Sequence, residues 1–546
     1  MSREEIASPS DVTELSGSPW VLMAMVGAVG LITASTVITT TTIPEIGRAL
    51  RASQSQLQWI ADVYPLVLAS LLLPAGAVLD RFGRKRGLIW GLGILAASLA
   101  WSAITPTPDQ LIASRCCAGV GAALAFPGTL ATISSSFSAA QRGRAVGTWA
   151  FGFMAGGLFG VLIGGGLVEL YWWGASFLVT AALVVACLLL ILLVVPETRD
   201  PGHSNFDPIG ALLSCVGIGA VVLAVTEEPI LGWTDALTVG GLVVGVAGLI
   251  AFAAWEIRTS RPLLDLRRFR DPSFGTASAT LFVMFMVDFA LFFLCFQYEA
   301  YILGYGPFKS VLGLMPEMIT LPPVFVFAPA IANRFGRRLM MTIAMALCAT
   351  GALSAALVGH DGRYWPFTLS LSVFWTGVAL AMGPSTEAII EAMPSAEQGV
   401  ASAVNDIARE LGAALGIAVL GSAFNAGYRR DVGHLLGSHA GHLRAAITDS
   451  PATGLQAVAR LGAAGRPEIA IIHSGVFAGW NAALVVATAL LIAVAIFVAI
   501  RYPGKADNRE QRAPEVDAGQ DLVDLGASKV EVTSISSSGH EPPGEF

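Results

Sequence analysis

Charge is scarce in this chain: Asp, Glu, Lys and Arg supply 13% of its 546 residues, and apolar residues supply 54%. Soluble domains carry roughly a quarter charged residues, so the shortage excludes an ordinary soluble protein and implies an integral membrane protein. Cysteine is also sparse. All six (Cys116, Cys117, Cys187, Cys215, Cys295 and Cys348) fall in apolar segments, which suits packing as small hydrophobes and excludes a disulfide framework or redox chemistry. There is no G-x-x-x-x-G-K-[ST] loop, so the chain alone is not an ATP-driven pump. The acids of "NDIARE" have no second Asp-rich segment to complete a Mg²⁺ site, which argues against an enzyme acting on diphosphates. No cleavable signal peptide is expected, because residues 1–19 are polar and the first apolar run is long and lacks a small-residue cleavage site. The net charge of −7 owes much to the polar ends and argues against nucleic acid as a partner.

Long apolar runs fill the rest. A spanning helix needs about 20 such residues, and runs near 20–43, 57–79, 87–104, 110–136, 146–168, 175–195, 208–226, 236–255, 273–298, 310–332, 338–358, 366–390, 398–424 and 472–500 predict fourteen spans. With both termini cytoplasmic, the short inner loops hold fifteen Lys and Arg and the short outer loops four (Arg48, Arg51, Lys309 and Arg363), as the positive-inside rule requires. The inner set includes Arg142, Arg144, Arg199, Arg258, Arg261 and Arg334. The expected organisation is a cytoplasmic segment 1–19, a six-helix half 20–200, two central helices 201–271, a second six-helix half 272–501 with an extracytoplasmic loop 425–471, and a disordered tail 502–546. In that loop His434, His439 and His442 lack the Cys or carboxylate company of a metal site. Neither a metal nor a cofactor is expected.

The densest charge lies in "GAVLDRFGRKR" after the second span, and "APAIANRFGRR" follows the tenth. The shared R-F-G-R core is a parallel internal repeat of the kind seen in alternating-access transporters. Gly76 and Gly83 permit tight helix ends. Asp80 is placed to pair with an arginine of the next span, while Arg81, Arg84, Lys85 and Arg86 are expected at headgroups and helix C-termini. Such a hinge can latch the cytoplasmic face.

The first loop resembles the G-x-L-a-D-r-x-G-R-k motif of the major facilitator superfamily, and the chain is similar to its fourteen-span drug:proton antiporter branch. "LIASRCCAGVGAALAFP" resembles the fourth-span motif, supplying Arg115, Gly119 and Gly121, and "GTWAFGFMAGGLFGVLIGGG" resembles the fifth-span antiporter motif. "QWIADVYPLVLASLLLPAG" and "GVASAVNDIARELGAALGIAVLGSAF" resemble the second and thirteenth spans. Ser35 stands where the branch usually has a first-span Asp, Ala118 replaces the fourth-span Gln, and Gly160-Val161 replaces a Gly-Pro pair. Gly152, Gly156, Gly160 and Gly164 keep i+4 spacing, a ridge for close helix contact. The resemblance implies an all-α major facilitator fold in the plasma membrane and proton-coupled export of amphipathic or cationic small molecules by a monomer. Its partners are then substrate, protons and the bilayer. A transporter dedicated to one metabolite, lipid or self-made antibiotic is the alternative.

An ionisable side chain inside the bilayer costs about 2.5–3.5 kcal/mol on insertion scales, so each one present is a functional candidate. Asp62 in span two, with Arg115 at similar depth in span four as its expected partner, is the first choice because Ser35 removes the usual acid. Asp288 lies among the Phe and Met of "LFVMFMVDFALFFLCFQY", a seat suited to a lipophilic cation. Glu317 lies in span ten. Asp406, Arg409 and Glu410 share one face of span thirteen at i, i+3 and i+4 spacing, beside Asn405, and can neutralise one another. Glu387 and Glu391 are read as solvated, and tryptophans near span ends, Trp173 among them, as an interfacial belt.

Overall fold

The computed structural model describes residues 18–197, 207–260, 262–358, 363–394, 397–436, 441–459 and 466–504. The expectations for the first seventeen residues, Arg199, Arg261, His439 and the tail beyond 504 lie outside them. Fourteen helices among the described residues are long and apolar enough to cross a membrane. They are α1 (Pro19–Leu50), α2 (Gln54–Phe82), α3 (Arg84–Ile104), α4 (Pro108–Ser136), α5 (Ala139–Leu170), α6 (Trp173–Val194), α7 (Pro208–Leu231), α8 (Ala236–Arg258), α9 (Pro272–Tyr301), α10 (Met315–Phe335), α11 (Arg337–Leu357), α12 (Tyr364–Glu391), α13 (Gln398–Leu435) and α14 (Arg466–Arg501).

Local sequence explains where these helices start. Ser18, Thr107, Asp207 and Asp271 each precede a proline at the first helical position, and each side chain accepts a hydrogen bond from a backbone amide of the first turn. The missing proline N–H costs nothing there, and the cap satisfies one of the orphan donors. Ser53 and Gln56 form a reciprocal capping box on α2. At Gly83 and Gly336 a single residue at φ 104° and 92° ends one helix and starts the next, a conformation that disfavours any residue with a Cβ.

Among the first six helices α1 lies along α5, α4 packs on α2 and α3, and α6 on α3. Among the last six, α9 lies along α13, and α14 packs on α11 and α13. The two sets meet where α13 crosses α2 and α4, and where α5 meets α10 and α12. Helices α7 and α8 pair with each other, and α7 covers α2 and α13, its Ile218 and Val222 resting on Ala69.

Glycine rows set two of the extensive helix contacts, α1 with α5 and α9 with α13. A Cβ on Gly156 would fall on the Gly30 backbone, one on Gly160 would stand 2.8 Å from the Ala34 carbonyl, and one on Gly152 2.6 Å from Val26. Gly164 meets Thr41 and Ile38. The i+4 ridge of α5 thus lies against an i+4 row of α1. Gly412 and Gly416 of α13 meet Phe282 and Met286 of α9 in the same way.

Two expectations need correction. The connection between the last two spans is shorter than 425–471: α13 continues to Leu435 and α14 starts at Arg466, with the short helices Gly441–Asp449 and Pro451–Ala459 between them. Tyr428 Oη donates to the Ile447 carbonyl at 2.7 Å, because an aromatic anchor with a polar tip binds the short helix back onto α13. Trp173 leaves the belt, since it is buried with its ring at 6.1 Å from Phe177. Trp20, Trp101, Trp172, Trp233 and Trp365 are exposed.

Candidate functional site

The run around Asp288 is apolar on every side of α9, so this acid has few choices of partner. It points inward, where Trp375 Nε1 of α12 donates to its Oδ1 at 2.8 Å. Asp288 and Trp375 line a cavity of about 140 Å³ between the two sets of helices, with Thr33 and Val37 of α1, Phe153 and Met154 of α5, and Phe289, Phe292 and Phe296 of α9. A lone carboxylate in an aromatic and thioether wall suits a large, weakly hydrated cation.

Arg409 of α13 lies nearby and is 2% exposed. Its guanidinium carbon stands 3.5 Å from the centroid of Phe153, 4.9 Å from Phe285, 5.3 Å from Trp149 and 5.6 Å from Phe126. A desolvated cation over an aromatic face gains about 2 kcal/mol. Asp406 pairs with it at 3.6 Å. Asn405 Nδ2 donates to Asp406 Oδ1 at 3.0 Å, and Thr386 Oγ1 of α12 donates to Asn405 Oδ1 at 2.9 Å. The spacing on α13 therefore brings Asp406 and Arg409 together. Glu410 is half-buried and close enough to feel the Arg409 charge.

The expected Asp62–Arg115 pair does not form. Residues 62 and 64 project about 200° apart on a helix. The face of Gln58, Asp62 and Leu66 turns to α7, where Gln58 Nε2 donates to Glu227 Oε2 at 3.0 Å and Leu66 packs on Ile218 and Val222. Asp62 is half-buried there, in the field of Glu227. Arg115 is fully buried on the other side. It lies 4.3 Å over the Tyr64 ring, and Nη2 donates to the Ser35 carbonyl at 3.0 Å, so at the position of the missing acid it meets backbone only. Its Nε and Nη1 have no hydrogen-bond partner among the described residues.

Glu317 is buried near the start of α10 and faces Glu299 of α9, which the sequence reading passed over because it closes a long apolar run. The sequence reading also missed Trp375, Glu227 and the rings around Arg409. Glu387 and Glu391 are not solvated. Arg337 pairs with Glu387 at 3.1 Å and with Glu391 at 2.6 Å, because α11 and α12 pack side by side and bring all three groups to one end.

The charged hinge closes the opposite end of the two sets from the cavity wall. Asp80 Oδ1 accepts from the Gly399 amide at 2.9 Å and Oδ2 from the Val400 amide at 3.1 Å, in the first turn of α13. The α13 cap residue Glu397 makes no side-chain cap of its own, so Asp80 supplies the anion that a helix N-terminus favours. Gly76 allows the approach: a Cβ there would stand 2.6 Å from the Gly399 carbonyl. Arg84 is buried beside Asp80 at 3.8 Å, not at a headgroup, since Gly83 turns it back under α2. Lys85 Nζ donates to the Leu192 carbonyl in the last turn of α6 at 3.1 Å, and Arg86 pairs with Glu197 at 3.7 Å. Arg81 stays exposed. Among the described residues no group of three or more His, Cys, Asp or Glu could hold a metal.

The chain that folds into these two sets of helices, with its D-R-F-G-R turn, matches the sequence profile of the Major Facilitator Superfamily over residues 24–417. The chain belongs to this superfamily. It is 31% identical over 415 residues to the "Multidrug efflux pump LfrA" of Mycolicibacterium smegmatis, covering 76% of this chain and 82% of that one. It is 31% identical to the "Methyl viologen resistance protein SmvA" of Salmonella typhimurium (69% and 77% covered) and 30% identical to the "Methylenomycin A resistance protein" of Streptomyces coelicolor (69% and 79%). Solved transporters share the fold. The human organic anion transporter MFSD10 aligns at TM-score 0.57 and 14% identity over 88% of this chain and all of that one. The proton:xylose symporter XylE aligns at 0.56 and 16% over 91% and 97%. This member of the superfamily is accordingly a multi-pass membrane protein of a transporter family.

Proposed function

We propose that this transporter exports amphipathic cations in exchange for protons, by alternating access in the plasma membrane, as a monomer with both termini cytoplasmic. The observation that carries the reading is Asp288, held by Trp375 in the aromatic wall between the two sets of helices while Asp80 closes the other end. A carboxylate that takes either a proton or a cation, never both, couples the two fluxes. Efflux and resistance proteins at about 30% identity support the export direction and the fifteen-to-four loop asymmetry supports the orientation. Gly152, Gly156, Gly160 and Gly164 act here as the surface on which α5 stays registered with α1.

The test is reconstitution. In proteoliposomes an imposed pH gradient should drive tetraphenylphosphonium against the proton flow, and an uncoupler should stop it. Gradient-independent flux would contradict the coupling. The second reading, a transporter dedicated to one anionic or neutral compound, draws on Arg115, whose Nε and Nη1 have no hydrogen-bond partner among the described residues. A panel in which only one such compound moves would favour it.

A further inference from the structure

Arg409 is an unusual buried arginine. A guanidinium removed from water normally spends its fork of N–H groups on carboxylates or carbonyls, yet Nε, Nη1 and Nη2 of Arg409 have no hydrogen-bond partner among the described residues. Asp406 stands at ion-pair distance, 3.6 Å, and four aromatic rings from α4, α5 and α9 surround the head. Ring faces around a cation with little directional bonding are what recognises a delocalised or quaternary cation. The box is continuous with the cavity. Phe153 belongs to both, and Phe285 packs edge-on against Phe153 at 6.1 Å and at a tilt against the cavity-lining Phe289 at 6.0 Å. Asp288 lies within the field of Arg409.

We propose that Arg409 is a tethered surrogate for the transported cation: its guanidinium fills the aromatic seat in the unloaded protein, and a lipophilic cation loads by displacing it. The inference rests on the cation-export reading and adds a selectivity rule to it. A guest competes with Arg409 for the same rings and for Asp288 and Asp406. Small hydrated cations cannot win that exchange, because they gain little from ring faces and lose their water. A loosely bonded arginine can be displaced where a forked one could not.

The experiment measures binding of two probes of one shape and opposite charge, tetraphenylphosphonium and tetraphenylborate, to the purified full-length protein. Arg409→Gln should bind tetraphenylphosphonium about tenfold more tightly and tetraphenylborate more weakly. Arg409→Lys, which keeps the charge, should stay within about threefold of the parent for both. The pair Asp406→Asn/Arg409→Gln removes both buried charges together and serves if the single variant misfolds. It too should gain affinity for the cation, because Asp288 and the rings remain. Unchanged or weaker cation binding in folded neutral variants, or the same shift for both probes, would overturn the proposal. If the parent neither binds nor moves tetraphenylphosphonium, the export reading itself fails, and the two failures are told apart by the parent alone.

Discussion

At Gly83 and at Gly336 the chain turns between helices through one residue at positive φ, and in both turns the second basic residue binds the end of the sixth helix of its set: Lys85 the Leu192 carbonyl, Arg338 Nε the Ala499 carbonyl at 2.8 Å. The charges before the glycine differ. Asp80 is buried against the amides of α13, whereas its counterpart Asn333 is exposed. The arginines differ as well, since Arg84 stays with Asp80 and Arg337 turns to Glu387 and Glu391 on the neighbouring helix. One repeat therefore joins the two sets through a charge, and the other ties together helices of its own set. Their shared backbone is a matter of fold. The latch is a local addition to one copy.

That comparison can be broken at its strongest point first. Asp80→Asn weakens two charge-assisted bonds worth about 1.5–3 kcal/mol each, so the open-to-closed ratio at this end should shift by about two orders of magnitude. Spin-label distances between the end of α2 and the start of α13 would read it, with substrate affinity unchanged within about threefold. Gly76→Ala places a methyl against the Gly399 carbonyl and should open the same end by about 1–3 kcal/mol. Arg337→Gln removes the charge that both Glu387 and Glu391 contact. Because a fifth of the Arg337 side chain is exposed, the cost should be about 1–3 kcal/mol, below that of a fully buried pair, and should appear as a lower melting temperature with spin-label distances unchanged. Lys85→Gln and Arg338→Gln should each cost about 0.5 kcal/mol, and Asn333→Asp, on an exposed face, should change neither readout.

The sequence reading reached the fourteen spans, the repeated turn and the glycine ridge because each is written in local pattern: apolar length, R-F-G-R, and i+4 spacing. It reached the pairing of Asp80 with an arginine of the next span, Arg84, but missed the Gly399 and Val400 amides, because backbone amides carry no residue signature. The pairing of Asp62 with Arg115 fails for a related reason. A span that is apolar nearly all round does not announce which face meets which neighbour, and only the packed structure turns Asp62 to α7 and Tyr64 to Arg115. The box around Arg409 draws rings from α4, α5 and the more distant α9, so no single stretch could reveal it. Glu387 and Glu391 read as solvated from their position at a span end, but Arg337 of the preceding helix meets them.

The central claim is that Asp288, and not Asp62, couples cation to proton. The direct measurement is pH-gradient-driven tetraphenylphosphonium efflux from proteoliposomes holding Asp288→Asn or Asp62→Asn, each compared with the parent. Removing the acid from the cavity wall should abolish driven efflux, while Asp62→Asn, altered against α7, should keep at least about half of it. Full pH-dependent efflux by Asp288→Asn, with loss in Asp62→Asn, would contradict the account.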